Sequence, residues 1–251
     1  MTAVLPIPVR TSTPPRSAEL RGWALGVRDL RRDAVDLAVR GRRGAPGVRS
    51  GERCFAIATG AGRWLVGVAD ARGPGDDAAD TARDVVGHLR RAAPFRDLQT
   101  VLADANRFVR DAAPGCLVAL TLIDVDARRH AVRVAVAGGV PAFVAGRSGD
   151  VVRLGDAGAG LGLVEDPRWH VSGPVRLAPG HLLAVVTDGV VDRADDDGVT
   201  FGESGVAAAL RDHRDATPRV AARALLSRGD AWSASDVADR TVLTLRLHPA
   251  R

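Results

Sequence analysis

No lysine occurs anywhere in the 251 residues, so all 35 basic side chains are arginine. That absence excludes a Schiff-base lysine, a kinase-type phosphate lysine and the Gly-Lys-Ser/Thr ending of a phosphate-binding loop. Tyrosine is also missing and only 4% of residues are aromatic, which supplies a base-stacking platform poorly. Cysteine is scarce: Cys54 and Cys116 lie far apart, form no Cys-x-x-Cys pair and sit in apolar strand-like runs. They read as buried free thiols in a reducing compartment. No apolar run approaches membrane-spanning length, and residues 1–20 carry Pro and Arg where a signal peptide needs an apolar block. The expectation is a cytoplasmic protein without a membrane partner.

What remains is a folding composition, 46% hydrophobic and 26% charged, in a chain long enough for a substantial core. The net charge of +5 and pI near 10.8 raise the question of nucleic acid. Arg alternates with Asp along most of the chain, however. The one dense basic stretch is residues 28–49, with Arg31, Arg32, Arg40, Arg42 and Arg43. Nucleic acid is therefore not the expected partner, and the chemistry must use carboxylates, Arg, His, hydroxyls or a metal.

Residues 1–18, with Pro6, Pro8, Pro14 and Pro15 among Ser and Thr, read as a flexible leader. Residues 19–251 read as a single domain. Strands are predicted at 35–39, 54–58 and 64–69, the last two joined by the hairpin turn Thr59-Gly60-Ala61-Gly62. Helices follow at 76–91 and 97–111, the second carrying Leu98, Val101, Leu102, Ala105, Phe108 and Val109 at helical spacing. Strands at 117–124, 132–136, 142–145, 151–154 and 182–187 come next. Two more helices are expected, at 203–212 and from Thr217 with Pro218 at its first position, before a last strand at 241–247. Helix pairs alternating with hairpin-linked strands argue an α+β fold with antiparallel sheets and helices on their outer faces.

Three acids stand at strand ends from distant parts of the chain: Asp70, Asp188 and Asp239. Asp followed by Gly at a strand end is ordinarily a turn. Gathered at one sheet end, the three would need a neutralising cation, and oxygen ligands select Mg²⁺, Mn²⁺ or Ca²⁺. Other templates are missing: there is no Gly-x-Ser-x-Gly elbow and no His-Glu-x-x-His. Gly158-Ala159-Gly160-Leu161-Gly162 does not have dinucleotide-site spacing. His88 reads as a surface or satisfied helix residue.

The order of segments resembles the PPM-type metal-dependent protein serine/threonine phosphatases, in their bacterial SpoIIE-like branch. The strongest match is Leu177-Ala178-Pro179-Gly180-His181-Leu182-Leu183-Ala184-Val185-Val186-Thr187-Asp188-Gly189-Val190-Val191-Asp192, similar to the family's L-x-P-G-D-x-L-L-L-Y-T-D-G-V-x-E, with Phe201-Gly202 following. Val68-Ala69-Asp70-Ala71-Arg72-Gly73-Pro74-Gly75 resembles V-x-D-V-x-G-H-G. Ala137-Gly138-Gly139-Val140-Pro141 resembles A-G-H-P-P, Gly160-Leu161-Gly162-Leu163 resembles P-L-G-L, and Ala238-Asp239-Arg240-Thr241 stands where D-D-x-T is expected. The resemblance runs from about residue 35 to 247.

It implies an αββα sandwich of two antiparallel sheets flanked by helix pairs, with two Mn²⁺ or Mg²⁺ ions at one end. On this resemblance Asp70 bridges the metals, the Ala71 carbonyl ligates one and Asp188 ligates the other. Glu52 falls on the Asp of G-G-D-x-x-D and holds a metal-bound water, and Asp239 is a candidate ligand. The implied reaction is hydrolysis of phosphoserine or phosphothreonine on a regulatory protein, of the anti-sigma-antagonist type, by a metal-activated water. The departures are Ala238 and Phe55 where acids are expected, Pro74 and Gly139 in place of His, and His181 in place of an acid. Asp239 or Asp236 is a possible replacement for the acid missing at 238, although adjacent strand residues face opposite ways. Losing a carboxylate weakens a hard-cation site, so the competing expectation is a weak or inactive member serving as a regulatory binding module. Arg72 either clamps phosphate or faces solvent.

Overall fold

The computed structural model describes residues 23–24, 28–32, 34–44, 47–73, 76–92, 97–139, 141–233 and 238–249. The expected leader at 1–18, and with it Pro74 and Asp236, lies outside the described residues.

Two sheets form the centre. The first is ordered β1 (Trp23–Ala24), β4 (Glu52–Gly60), β5 (Arg63–Arg72), β6 (Leu117–Asp126), β7 (Ala131–Ala137) and β10 (Ala157–Gly158), with β11 (Val175–Arg176) also on β7. The second is ordered β2 (Arg28–Arg32), β3 (Val35–Arg42), β13 (Arg240–Leu247), β12 (Leu182–Val186), β8 (Ala142–Ala145) and β9 (Val151–Leu154). Helices α1 (Asp77–Ala92) and α2 (Leu98–Ala112) cover the first sheet. The second is covered by α3 (Asp188–Val191), α4 (Gly202–Asp212) and α5 (Pro218–Trp232). The expected αββα layering is thus present. One correction is needed: β10 runs parallel to β7, so the first sheet is not wholly antiparallel.

Residue parity explains the layers. Along β5, Trp64, Val66 and Val68 face the other sheet and join Val35, Leu37, Leu183, Leu243 and Leu245 in the inner core. Leu65, Ala69 and Ala71 face the helices and pack beneath Ala82, Val86, Leu102 and Val109. A strand alternates sides with period two, so a single apolar run serves both layers. The same rule places Asp70 and Arg72 on the inter-sheet side, just beyond the apolar core.

The helices form where their stripes and caps predict. Asp97 caps α2, accepting from the Thr100 amide at 3.0 Å. Thr217 caps α5, whose first residue is Pro218. In α1, Asp77 and Asp80 lie in the first turn and Arg90 and Arg91 in the last, each sign complementing the helix dipole. His88 stacks on Phe108 with ring centroids 4.7 Å apart, and Cys54 and Cys116 are buried free thiols. Among the described residues no helix is long and apolar enough to cross a membrane.

Buried arginines take structural work that needs fixed hydrogen bonds. The Arg193 guanidinium donates from Nε to the Gly229 carbonyl at 2.7 Å and also to that of Ser233. Arg246 donates to the carbonyls of Ala216 at 3.0 Å and Gly180 at 2.6 Å, and to that of Arg214. The first set ties the segment after α3 to the end of α5, and the second fastens loops to β13.

Candidate metal centre

The site is assembled where the two sheets open at one end. On the first sheet, β4 and β5 pair Glu52 directly with Asp70. Both share the parity of the inner core, since Cys54 and Val68, two residues inward, belong to it. On the second sheet the Thr187 amide donates to the Thr241 carbonyl at 3.0 Å, and the Thr241 amide donates to Thr187 Oγ1 at 2.9 Å. This extends the β12–β13 pairing past Val186 and fixes the turn into Asp188. Asp188 opens α3 rather than simply ending a strand, so its position is set by a helical turn as well as by β12. The sheets are joined here by Thr241 Oγ1, which donates to Glu52 Oε2 at 2.5 Å.

A cleft of about 300 Å³ results, and Glu52, Asp70, Ala71, Asp188 and Asp239 all line it, with Arg72 and Ala238. Two glycines make the backbone approach possible. A Cβ on Gly51 would overlap the Ala71 carbonyl oxygen, and one on Gly189 would overlap that of Asp239. The Ala71 amide also donates to the Gly51 carbonyl at 3.0 Å. Any larger residue at either position would push apart the segments carrying the acids.

The carboxylates are not equivalent. Glu52 is 3% exposed. Burial, reinforced by the charge of Asp70, pushes its carboxyl up to about 8, although hydroxyl hydrogen bonds from Thr241 and Thr187 pull the other way. Asp70 is pushed up to about 6, first by burial; the Arg72 guanidinium opposes this, while Asp188 and Asp239 add to it. Asp188 accepts from Arg72, Nη2 to Oδ2, at 2.6 Å. Asp239 Oδ1 accepts from the Gly44 amide at 2.9 Å.

This donor set fits a hard divalent cation in kind: several carboxylates and a carbonyl, all oxygen, with Glu52 lacking any cation against it. Among the described residues no three His, Cys, Asp or Glu side chains close around one point. Three of the acids are engaged instead by protein donors: Glu52 by Thr241, Asp188 by Arg72 and Asp239 by Gly44.

The expected departures have separate consequences. Phe55 is fully buried beneath the helices, on the face of β4 opposite Glu52, so an acid there would not face the cleft. Ala238 does line the cleft and offers no side-chain donor. A Cβ on Gly139 would stand 3.6 Å from Asp188 Oδ1, so the missing His leaves that carboxylate less covered. Arg72 does not simply face solvent; it is 60% exposed and paired with Asp188. The roles of Thr187, Thr241, Gly51 and Gly189 are additional to those read from sequence. Both threonines stand inside the quoted motifs, and the alternation along β13 turns Thr241 inward with Leu243.

Comparison with known proteins decides the family. The profile described as Stage II sporulation protein E (SpoIIE) matches residues 60–248. The chain belongs to the SpoIIE family. Among solved structures, the SiaA-PP2C domain of Pseudomonas aeruginosa is 25% identical, with a TM-score of 0.73 over 84% of this chain and 86% of that one. The PP2C phosphatase domain of SpoIIE from Bacillus subtilis, solved with a fragment of its regulatory domain, is 17% identical with a TM-score of 0.73, over 85% of this chain and 61% of that one. The serine/threonine phosphatase PstP/Ppp of Mycobacterium tuberculosis is 16% identical with a TM-score of 0.63, over 85% and 99%. RsbX, solved in complex with magnesium, is 15% identical with a TM-score of 0.64, over 88% and 100%. No curated relative matches the chain. This SpoIIE-family chain therefore has the PP2C fold of protein serine/threonine phosphatases.

Proposed function

We propose that residues 19–251 form one cytoplasmic, metal-dependent phosphatase domain that hydrolyses phosphoserine or phosphothreonine on a regulatory protein. The anti-sigma-antagonist type of substrate is carried by the resemblance alone. The observation that supports the reaction is the in-register pair Glu52 and Asp70 at the mouth of the sandwich, facing Asp188 and Asp239 from the other sheet.

Glu52, Asp70, the Ala71 carbonyl, Asp188 and Asp239 are the groups that would hold Mn²⁺ or Mg²⁺. When bound, such ions supply a water made nucleophilic near neutral pH and neutralise charge on the phosphoryl oxygens. The chain itself does the placing. Thr241 holds the Glu52 carboxyl across the two sheets, and Gly51 lets the β4 end lie against Ala71. Asp70 is central because the charges of Asp188 and Asp239 both act on it. A phosphate dianion beside these acids is repelled until a cation is present, so metal dependence is absolute.

The test is hydrolysis of p-nitrophenyl phosphate and of a phosphothreonine peptide by chelator-treated protein titrated with Mn²⁺ or Mg²⁺. Turnover that requires the ion and is lost in Asp70→Ala is expected. No turnover at any ion concentration overturns the enzymatic reading. Ala238, lining the cleft where an acid is expected, favours a second reading, a regulatory module that binds a phosphoprotein without cleaving it. Its signature is a phosphoprotein bound and recovered with its phosphate intact.

A further inference from the structure

The cleft carries a cation of its own. Arg72 lies two residues beyond Asp70 on β5, so strand parity turns both toward the space between the sheets. Its guanidinium reaches the opposite sheet and meets Asp188 at 2.6 Å. Its charge acts on Asp70 and on Asp192 as well. At the other end of the cleft the pattern reverses. The charges that dominate at Glu52 are negative, those of Asp70 and Asp239, and hydroxyls are its hydrogen-bond donors. Beside Asp188, against Gly189, stands an alanine, Ala238, where the resemblance expects an acid.

We infer that Arg72 occupies the place of one divalent ion, so that the chain takes a single ion, at the Glu52–Asp70 end of the cleft. This rests on the phosphatase reading above and changes its ion count from two to one. The physical case is charge balance. Arginine stays protonated at any working pH, and its fork suits a carboxylate oxygen, so Asp188 is already neutralised without metal. A second divalent ion at Asp188 would have to displace the guanidinium, with one fewer acid nearby to repay the displacement. Glu52 has no such internal partner among the described residues, and Asp70 feels the Arg72 charge without pairing with it directly, so the benefit of a bound cation is greatest there.

The test counts ions directly, apart from turnover. Mn²⁺ is titrated by calorimetry into the chelator-treated full chain, into Arg72→Ala and into Asp188→Asn, with p-nitrophenyl phosphate hydrolysis measured on the same samples. The expected result is one ion per wild-type chain, two in Arg72→Ala, and still one in Asp188→Asn. Arg72 is largely exposed, so its removal leaves the core untouched; Arg72→Gln, which keeps a polar side chain and drops the charge, must behave like Arg72→Ala. Two ions in both wild type and Arg72→Ala, with turnover present, overturn the inference and leave the phosphatase reading standing. In that case a raised KM in Arg72→Ala would assign the guanidinium to the substrate phosphate. One ion with no turnover supports the ion count and removes the phosphatase. No ion in any of the proteins overturns both.

Discussion

The two ends of the cleft solve the same electrostatic problem by opposite means. At the Glu52 end, a deeply buried acid is surrounded by hydroxyls and other acids, and holds its proton up to about pH 8. At the Asp188 end, a quarter-exposed acid is matched by an arginine from the facing sheet. Burial without a partner makes a carboxyl reluctant to ionise, whereas Arg72 sets an opposite charge directly against Asp188. The difference teaches that a cluster of acids is not one object. Each member is set by how much water and which donors reach it, and only the members lacking a cation gain strongly from an added one.

The largest expected effect removes the acid common to both ends. Asp70→Ala should lower ion-dependent turnover by about 100-fold or more, in line with losses seen when groups around a metal are removed. Retention of full activity in a phosphatase assay would show that the ends work independently.

Next is a pH effect specific to the Glu52 end. In the metal-free folded protein Glu52 titrates near 8, against 4.5 ordinarily. Between those values the folded state binds more protons than the unfolded chain. Stability must therefore fall as pH rises through that window, and Asp70, titrating near 6 against 3.8, adds the same sign at its lower end. Chelator-treated protein should melt progressively lower from about pH 5 to pH 8, and Glu52→Gln should flatten the slope. A melting temperature that climbs over that range would contradict the assignment.

Thr241→Val tests the link between the sheets. It strips a buried acceptor of one of its two hydroxyl donors, with an expected cost of about 1–3 kcal/mol in denaturant unfolding. An unchanged midpoint would mean that the hydroxyl is dispensable. The smallest effect belongs to a control outside the cleft. Arg49 meets Asp80 at the same 2.6 Å as Arg72 meets Asp188, but both partners are exposed. Arg49→Ala should leave the melting temperature and the Mn²⁺ titration unchanged, because exposed ion pairs contribute little. A large loss there would show that short distance alone matters.

Much of the architecture was readable because apolar periodicity is imposed by the layers. Residues 98–109 repeat at helical spacing, and 64–69 supply both faces of a doubly covered strand. The short pieces were not readable: β1, β2, β10 and β11 are edge strands with too few residues to show a period, and β2 is rich in arginine. The acids Asp70, Asp188 and Asp239 were conspicuous as strand-end residues, and Glu52 by motif. The pairing of Arg72 with Asp188 was not legible, because it joins residues 116 apart through the packing of two sheets. The hydroxyl of Thr241 on Glu52 spans 189 residues and was hidden for the same reason.

β13 comes last among the strands in sequence yet lies in the interior of its sheet, between β3 and β12. Until residues 240–247 have emerged from the ribosome, β3 and β12 have no common neighbour and Glu52 lacks the Thr241 hydroxyl. A chain halted before that point would present two unjoined halves and no assembled cleft. Emergence of β13 and assembly of the cleft are thereby made a single event.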